Sequence, residues 1–203
     1  MSAEDNTNGP WRITSAREVF DNPWINVKDH AVVHPDGSPG QYGVIRFKNL
    51  AIGVLPIDAD GCTVLVGQHR FPHNSYSWEL PEGGGALTVP PVEAAKRELE
   101  EETGLKAQSW APLCDFDISN SITDEKAVCF LAWDLALGNA QPDPSEALTI
   151  KRVSFKDLLE MVMSGEIRDS LTIVMTLKAY AMALRGEAPA PISESILAAG
   201  GQK

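Results

Sequence analysis

Between Trp78 and Leu105 the chain reads WELPEGGGALTVPPVEAAKRELEEETGL, and no other stretch restricts the fold as tightly. A strand-like tripeptide runs into a glycine-rich turn at Gly83-Gly84-Gly85. After a short loop, the spacing predicts a helix that starts near Pro90-Pro91 and stops at Gly104. Proline suits a first helical turn, where its missing N–H has no partner to lose, and glycine suits the residue just past the last turn. Val92, Ala95 and Leu99 recur at spacings of three and four and form the apolar stripe.

The acids of that helix can be placed from its geometry. At about 100° per residue, Glu98, Glu101 and Glu102 point into one sector, and Glu102 borders the apolar stripe. Glu93 and Glu100 point elsewhere and read as solvated charges. Hard oxygen ligands grouped in this way suit Mg²⁺ or Mn²⁺. The competing reading is a solvated acidic face, where like charges four apart cost only about 0.2–0.5 kcal/mol. If the patch is half buried, two carboxylates ~5 Å apart at an effective dielectric near 20 repel by about 3 kcal/mol, and a cation is needed.

The spacing decides between them. Arg97-Glu98-Leu99-Glu100-Glu101-Glu102-Thr103-Gly104-Leu105 resembles the second half of the Nudix box, G-x5-E-x7-R-E-U-x-E-E-x-G-U, where U is a bulky aliphatic. Every specified position of that half matches, and Gly83 stands at the distance of the opening glycine. The one departure is Val89, where the pattern has its first glutamate. The resemblance implies an α+β Nudix fold, a mixed β-sheet sandwiched between helices, and Mg²⁺-dependent cleavage of a diphosphate linked to another group. It implies that Glu98 and Glu102 bind metal, that Glu101 shares their shell, and that the backbone carbonyl of Glu82 is a further ligand. Gly83 then lets the backbone approach the metals, and Arg97 orients the carboxylates.

The phrase QHRFP…WELPEGG, over Gln68 to Gly84, is similar to the approach to the box in ADP-ribose pyrophosphatases. It suggests Arg70 and Glu79 as substrate-facing residues; the alternative is an ion pair between the two. Thr123-Asp124-Glu125-Lys126 with Phe130-Leu131-Ala132, and the later Gly165-Glu166-Ile167-Arg168-Asp169-Ser170, resemble further segments of the same subfamily. The catalytic base is expected from an acidic loop after the box. Glu146 in Asp143-Pro144-Ser145-Glu146 is the candidate, with Glu125 as runner-up. Trp24 and Tyr42 fall where related dimeric enzymes place aromatics that sandwich the adenine, although an aromatic in a β unit is often core.

The rest of the chain frames this site. Its 203 residues can bury a substantial core in one domain with a small appendage. A net charge of −11 argues against a nucleic-acid surface. It does not exclude a small anionic substrate, because metal ions invert the local field. Cys62, Cys114 and Cys129 are widely spaced and outside any CxxC pattern, which predicts free thiols in a reducing cytosol. With no signal segment and no long apolar run, the expected location is cytoplasmic. Residues 1–10 are polar and expected to be disordered. Residues 11–47 form an N-terminal β unit with a turn at Asp36–Gly40, expected to contribute to a homodimer and to the base pocket. Residues 48–185 form the catalytic domain. Asn49–Asp58 and Cys62–Gln68 read as a hairpin across Asp58–Gly61, and residues 138–147 as a loop. Ser154 reads as the N-cap of a helix to Ser164, and Leu171–Leu184 as the final helix. Residues 186–203 are expected to be a flexible tail.

The expected activity is hydrolysis of ADP-ribose or a related nucleoside diphosphate sugar. A dinucleotide or dinucleoside polyphosphate substrate is the second reading. A nucleotide-sugar-binding module without catalysis is the third, kept open by Val89.

Overall fold

A computed structural model describes residues 7–138 and 147–198. It divides into two compact units, Met1–Asn49 with Asp117–Lys126, and Leu50–Phe116 with Ala127–Lys203.

The first unit is an antiparallel sheet in the order β1 (Thr7–Asn8), β2 (Trp11–Asp21), β3 (Ile25–Val33), β4 (Pro39–Phe47). Thr7–Asn8 pair with Trp11–Arg12 around Gly9-Pro10, so order begins earlier than the polar composition suggested. The turn between β3 and β4 uses Asp36, whose Oδ1 accepts from the N–H and hydroxyl of Ser38, and Gly37 at φ 86°. The segment Asp117–Lys126, which lies within the expected catalytic domain, packs with this unit. Ile45 N–H donates to the Ile122 carbonyl, Asp124 accepts from Arg46 and from the Phe47 N–H, and Tyr42 Oη donates to the Ser121 carbonyl.

The second unit holds two sheets. One runs β8 (Glu82–Ala86), β5 (Asn49–Pro56), β10 (Lys126–Leu137), β9 (Leu105–Asp117), with β5 and β10 parallel. The other runs β11 (Thr149–Ser154), β6 (Cys62–Arg70), β7 (Ser75–Glu79). The expected hairpin of β5 with β6 is therefore corrected: the Asp58–Gly61 turn connects them, but they enter different sheets. β5 has both edges taken, by β8 and β10, and its residues from Ile52 to Pro56 are buried on both faces. A strand of that kind cannot alternate, which is why its apolar run gave no pairing information.

Helices cover both faces of the first sheet. Helix α1 (Pro91–Thr103) packs Ala94, Ala95 and Leu99 on Ile52, Val54, Phe130 and Ala132. On the other face, Met175 of α3 (Ser170–Leu184) lies so close to Gly53 that a Cβ there would sit 2.8 Å from its methyl. Helix α2 (Phe155–Met163) starts at Ser154, whose Oγ accepts the Asp157 N–H at 3.0 Å. The expected flexible tail contains a helix, α4 (Ala190–Ala198), which buries Ile192 and Ile196. Its Ala- and Pro-rich composition hid two aliphatics four apart, the spacing of one helical face. All three cysteines are free. No helix among the described residues is long and apolar enough to cross a membrane.

Candidate active site

Helix α1 begins at Pro91 and ends where Gly104, at φ 69°, donates its N–H to the Glu100 carbonyl. Between these ends the helix buries Glu98 and Glu102, at 8% and 7% exposure, along with its aliphatic stripe. Acids so nearly buried are not a solvated face. Glu101 is more open, with its side chain 39% exposed.

The glycine run does not turn. It is the edge strand β8, and strand alternation puts Gly83 and Gly85 on one face. A Cβ at Gly83 would lie 2.2 Å from the carboxyl carbon of Glu98 and 2.4 Å from each oxygen. A Cβ at Gly85 would lie 2.7 Å from Ile52 and 3.3 Å from the Ala94 methyl. The glycines let α1 settle on the strand, and the space of the missing Gly83 side chain holds the Glu98 carboxylate. One residue earlier, the Glu82 N–H donates to Glu102 Oε2 at 3.0 Å. Two acids of the helix thus meet the backbone of the strand at consecutive residues.

Arg97 ties the two elements together. It donates to Glu101 Oε2 at 2.6 Å, to Glu98 Oε1 at 2.5 Å and to the Gly84 carbonyl at 2.8 Å. Partial burial works against its charge, but Glu98 and Glu101 outweigh that and hold its pKa above the ordinary value.

Beside this lies a second polar group. Arg70 donates to both oxygens of Glu79, at 2.5–3.0 Å, and to Glu82 Oε1 at 2.8 Å. Glu79 is 2% exposed and also accepts from Gln68. The ion pair weighed as the alternative for Arg70 and Glu79 is therefore present. Glu79, Glu82 and Asp169 offer carboxylate oxygens within 4.8 Å of one another, close enough to share a cation. The Arg70 guanidinium already bonds two of the three. Burial foremost, then Asp169 and Glu79, push the Glu82 carboxyl well above the usual range. The Arg70 guanidinium, bonded to Glu79 and Glu82, offsets part of the repulsion there.

Glu98 and Glu102 meet the β8 backbone at Gly83 and Glu82, and Arg97 links Glu101 to Glu98. Carboxylate and carbonyl oxygens of this kind suit a hard divalent cation. The Gly83 cradle, filled only by a carboxylate, fits that use.

Of the other residues singled out from sequence, Tyr42 lines a cavity of about 460 Å³ inside the first unit. Trp11, His30, Arg46 and the loop Asn120–Thr123 share that lining. Trp11 meets Tyr42 edge-on, with ring centroids 5.6 Å apart. Trp24 is 65% exposed and is not part of this lining. Glu125 is half-buried, and burial raises its carboxyl pKa. Glu146 lies outside the described residues. Sequence reasoning missed Trp11, Arg46 and Asp169. The sheet register brings Trp11 and Arg46 to their neighbours and the helix cap brings Asp169 to its own; of the three, Asp169 alone falls in a segment that the sequence singles out.

The NUDIX domain family matches residues 47–171, and the nucleoside diphosphate sugar hydrolase N-terminal domain matches residues 11–45. The chain is 32% identical over 147 residues to the ADP-ribose pyrophosphatase of Mycobacterium tuberculosis, covering 70% of each protein. It is 30% identical over 162 residues to the ADP-ribose pyrophosphatase of Bacillus subtilis, covering 78% of this chain and 87% of that one. The ADP-sugar pyrophosphatase of Mus musculus is 28% identical over 195 residues, covering 87% and 88%. Among solved structures, an ADP compounds hydrolase superposes with a TM-score of 0.77 over 87% of this chain and 96% of that one. At 19% identity that likeness speaks for the fold alone.

Proposed function

Because the chain belongs to the Nudix family, we propose that it hydrolyses the diphosphate of ADP-ribose or a related nucleoside diphosphate sugar. The products are a nucleoside monophosphate and a sugar phosphate. The observation that carries this reading is the joint between α1 and β8, where Glu98 fills the place of a Gly83 side chain and Glu102 accepts the Glu82 N–H. The relatives named ADP-ribose and ADP-sugar pyrophosphatases, together with the matched N-terminal domain, support the substrate class.

In this reading Glu98, Glu102, Glu101 and the Glu82 carbonyl hold Mg²⁺, or Mn²⁺ in its place. When bound, the metal neutralises phosphoryl oxygens and lowers the pKa of an attacking water. The protein's own part is positioning. Arg97 holds Glu98 and Glu101 apart and in register with β8. Gly83 keeps the strand low enough for the carboxylates to stand over it. Arg70 and Glu79 stabilise the strand end from which Glu82 projects, and the part of the Arg70 side chain that remains open faces the diphosphate.

The base is Glu146, with Glu125 as the second candidate; burial raises the Glu125 carboxyl pKa, the direction that favours proton uptake. Tyr42, together with Trp11 in the same cavity, receives the nucleobase by stacking, which tolerates different bases. Val19, Phe20 and Trp24 are exposed apolar side chains, at 54%, 50% and 65%; their cover is a homodimer, in which Trp24 completes the base site. The free thiols suit a cytoplasmic enzyme.

The test is hydrolysis of a panel of ADP-ribose, other diphosphate sugars, dinucleotides and dinucleoside polyphosphates in Mg²⁺, with products resolved by chromatography. Turnover is expected on diphosphate sugars and is expected to fall about 100-fold or more in Glu102→Gln, while substrate binding persists. Preference for dinucleotides would replace the substrate assignment. Binding of a diphosphate sugar without turnover would make the chain a sensor.

A further inference from the structure

The segment Gly165 to Ile173, which extends the Gly165–Ser170 phrase, supplies none of the proposed metal ligands, yet it touches the backbone that carries Glu82. Asp169 caps α3 and accepts the Thr172 N–H at 2.7 Å. Thr172 is fully buried, and its Oγ1 accepts the Leu80 N–H at 2.8 Å. Leu80 is also fully buried and stands two residues before Glu82.

The three residues Leu80-Pro81-Glu82 are each fastened to a different element. The Leu80 N–H goes to Thr172 on α3. The Pro81 carbonyl accepts the Val54 N–H of β5 at 2.9 Å. The Glu82 N–H goes to Glu102 on α1. Pro81 has no N–H, so Leu80 and Glu82 supply the only backbone donors of this segment. Of the groups those donors reach, only the Thr172 hydroxyl lies outside the box. A β-branched threonine is stiff at χ1, and its position on the first turn is fixed by the Asp169 cap. The hydroxyl is therefore a rigid stop for the strand end.

We propose that Thr172 is a positioning residue for the metal-facing backbone: its hydroxyl sets the height of Leu80-Pro81-Glu82, so that the Glu82 carbonyl and the Glu102 carboxylate face one centre. Asp169 acts through it by fixing the helix start. The inference rests on the metal-dependent reading of the box given above. It also accounts for the Asp and Thr of a phrase that lies far along the chain from the box.

Thr172→Val keeps the shape and removes the acceptor; Thr172→Ser keeps the acceptor. The first measurement is a Mn²⁺ titration of the intact protein without substrate, read by electron paramagnetic resonance. The second is Mg²⁺-dependent hydrolysis. Thr172→Val is expected to weaken Mn²⁺ binding about tenfold and to lower kcat by a similar factor, with KM for substrate within about twofold. Thr172→Ser is expected to stay within about twofold of the parent in both.

Thr176→Val is the control for stability. The Thr176 hydroxyl is also buried and donates to the Thr172 carbonyl at 2.7 Å, one helical turn beyond the residue that meets Leu80. It is expected to lower Tm and leave Mn²⁺ binding unchanged. Should Thr172→Val not fold, Thr172→Cys, with the weak acceptor of a thiol, takes its place with a smaller shift in the same direction. Wild-type Mn²⁺ affinity in a folded Thr172→Val or Thr172→Cys protein overturns the proposal, as does equal weakening in Thr176→Val. Failure of the parent chain to bind Mn²⁺ overturns it too, by removing the centre to be faced. A parent that binds Mn²⁺ but cleaves no diphosphate refutes the function and leaves the titration to judge Thr172.

Discussion

Gly83→Ala probes the joint between α1 and β8 with a single methyl group. The new Cβ would lie 2.2–2.4 Å from the three carboxyl atoms of Glu98. Ordinary contact between such atoms begins near ~3.5 Å, so the carboxylate must retreat by roughly 1 Å. Glu98 cannot retreat freely, because Arg97 Nη2 holds its Oε1 at 2.5 Å and is itself fixed to the Gly84 carbonyl. A misplacement of about 1 Å at a catalytic group costs on the order of 100-fold in rate, equivalent to about 2.7 kcal/mol of transition-state stabilisation. The fold should be spared, since the clash falls on the far end of a side chain and not on backbone. Expected, therefore, are a loss of about 100-fold in kcat/KM on the preferred diphosphate sugar and a small change in Tm. Gly84→Ala, on the other face of the strand and exposed, should be nearly silent. The mechanism is checked by combination: if the methyl acts through Glu98, Gly83→Ala in a Glu98→Gln background adds little further loss. Full activity in Gly83→Ala, or losses that multiply in the double variant, would refute the reasoning.

Three other perturbations follow from the same structure. Arg70→Met leaves Glu79 buried without its cation and should destabilise the chain by about 3 kcal/mol by denaturant titration, with much of that recovered in Arg70→Met/Glu79→Leu. Ile196→Ala, at a fully buried site of α4, should cost about 2–4 kcal/mol and leave KM unchanged, whereas a flexible tail would show no cost. Asp58 accepts from Arg152 and from the N–H groups of Cys62 and Asp60; burial opposes its charge, but these partners prevail and lower its pKa. A depressed folded-state pKa stabilises above the ordinary value of 3.8 and ceases to do so as pH falls through the lower folded value. The Tm gap between the parent and Asp58→Asn should accordingly be widest near neutrality and close in acid, and a gap independent of pH would contradict the assignment.

Helix α1 was legible down to its ends, because Pro91 and Gly104 act locally and the stripe of Val92, Ala95 and Leu99 repeats within three turns. The same wheel puts Glu102 beside the stripe but leaves the burial of the acids open; tertiary packing buries Glu98 and Glu102 and leaves Glu101 more exposed. The β5–β6 connection was misread, because a strand buried on both faces loses the alternation that reveals its partner, and β5 pairs instead with the distant β10. Three glycines in a row permit a turn, and only packing shows that here they form a strand thinned to admit a helix. Helix α4 was missed because two isoleucines in an Ala- and Pro-rich segment carry little signal until α3 and α2 supply a surface for them.

For the candidate site, the helix spacing and the resemblance to the Nudix box single out Glu98, Glu101, Glu102, Arg97 and Gly83, and the structure sets Glu98 against Gly83 and joins Arg97 to Glu98 and Glu101. Residue order could not reveal that Thr172 meets Leu80, that Asp169 lies beside Glu79 and Glu82, or that Trp11 edges Tyr42. Those pairings join residues far apart in the chain, and what brings them together is the burial of apolar strand and helix faces, which specifies no single partner until the chain has closed around its core.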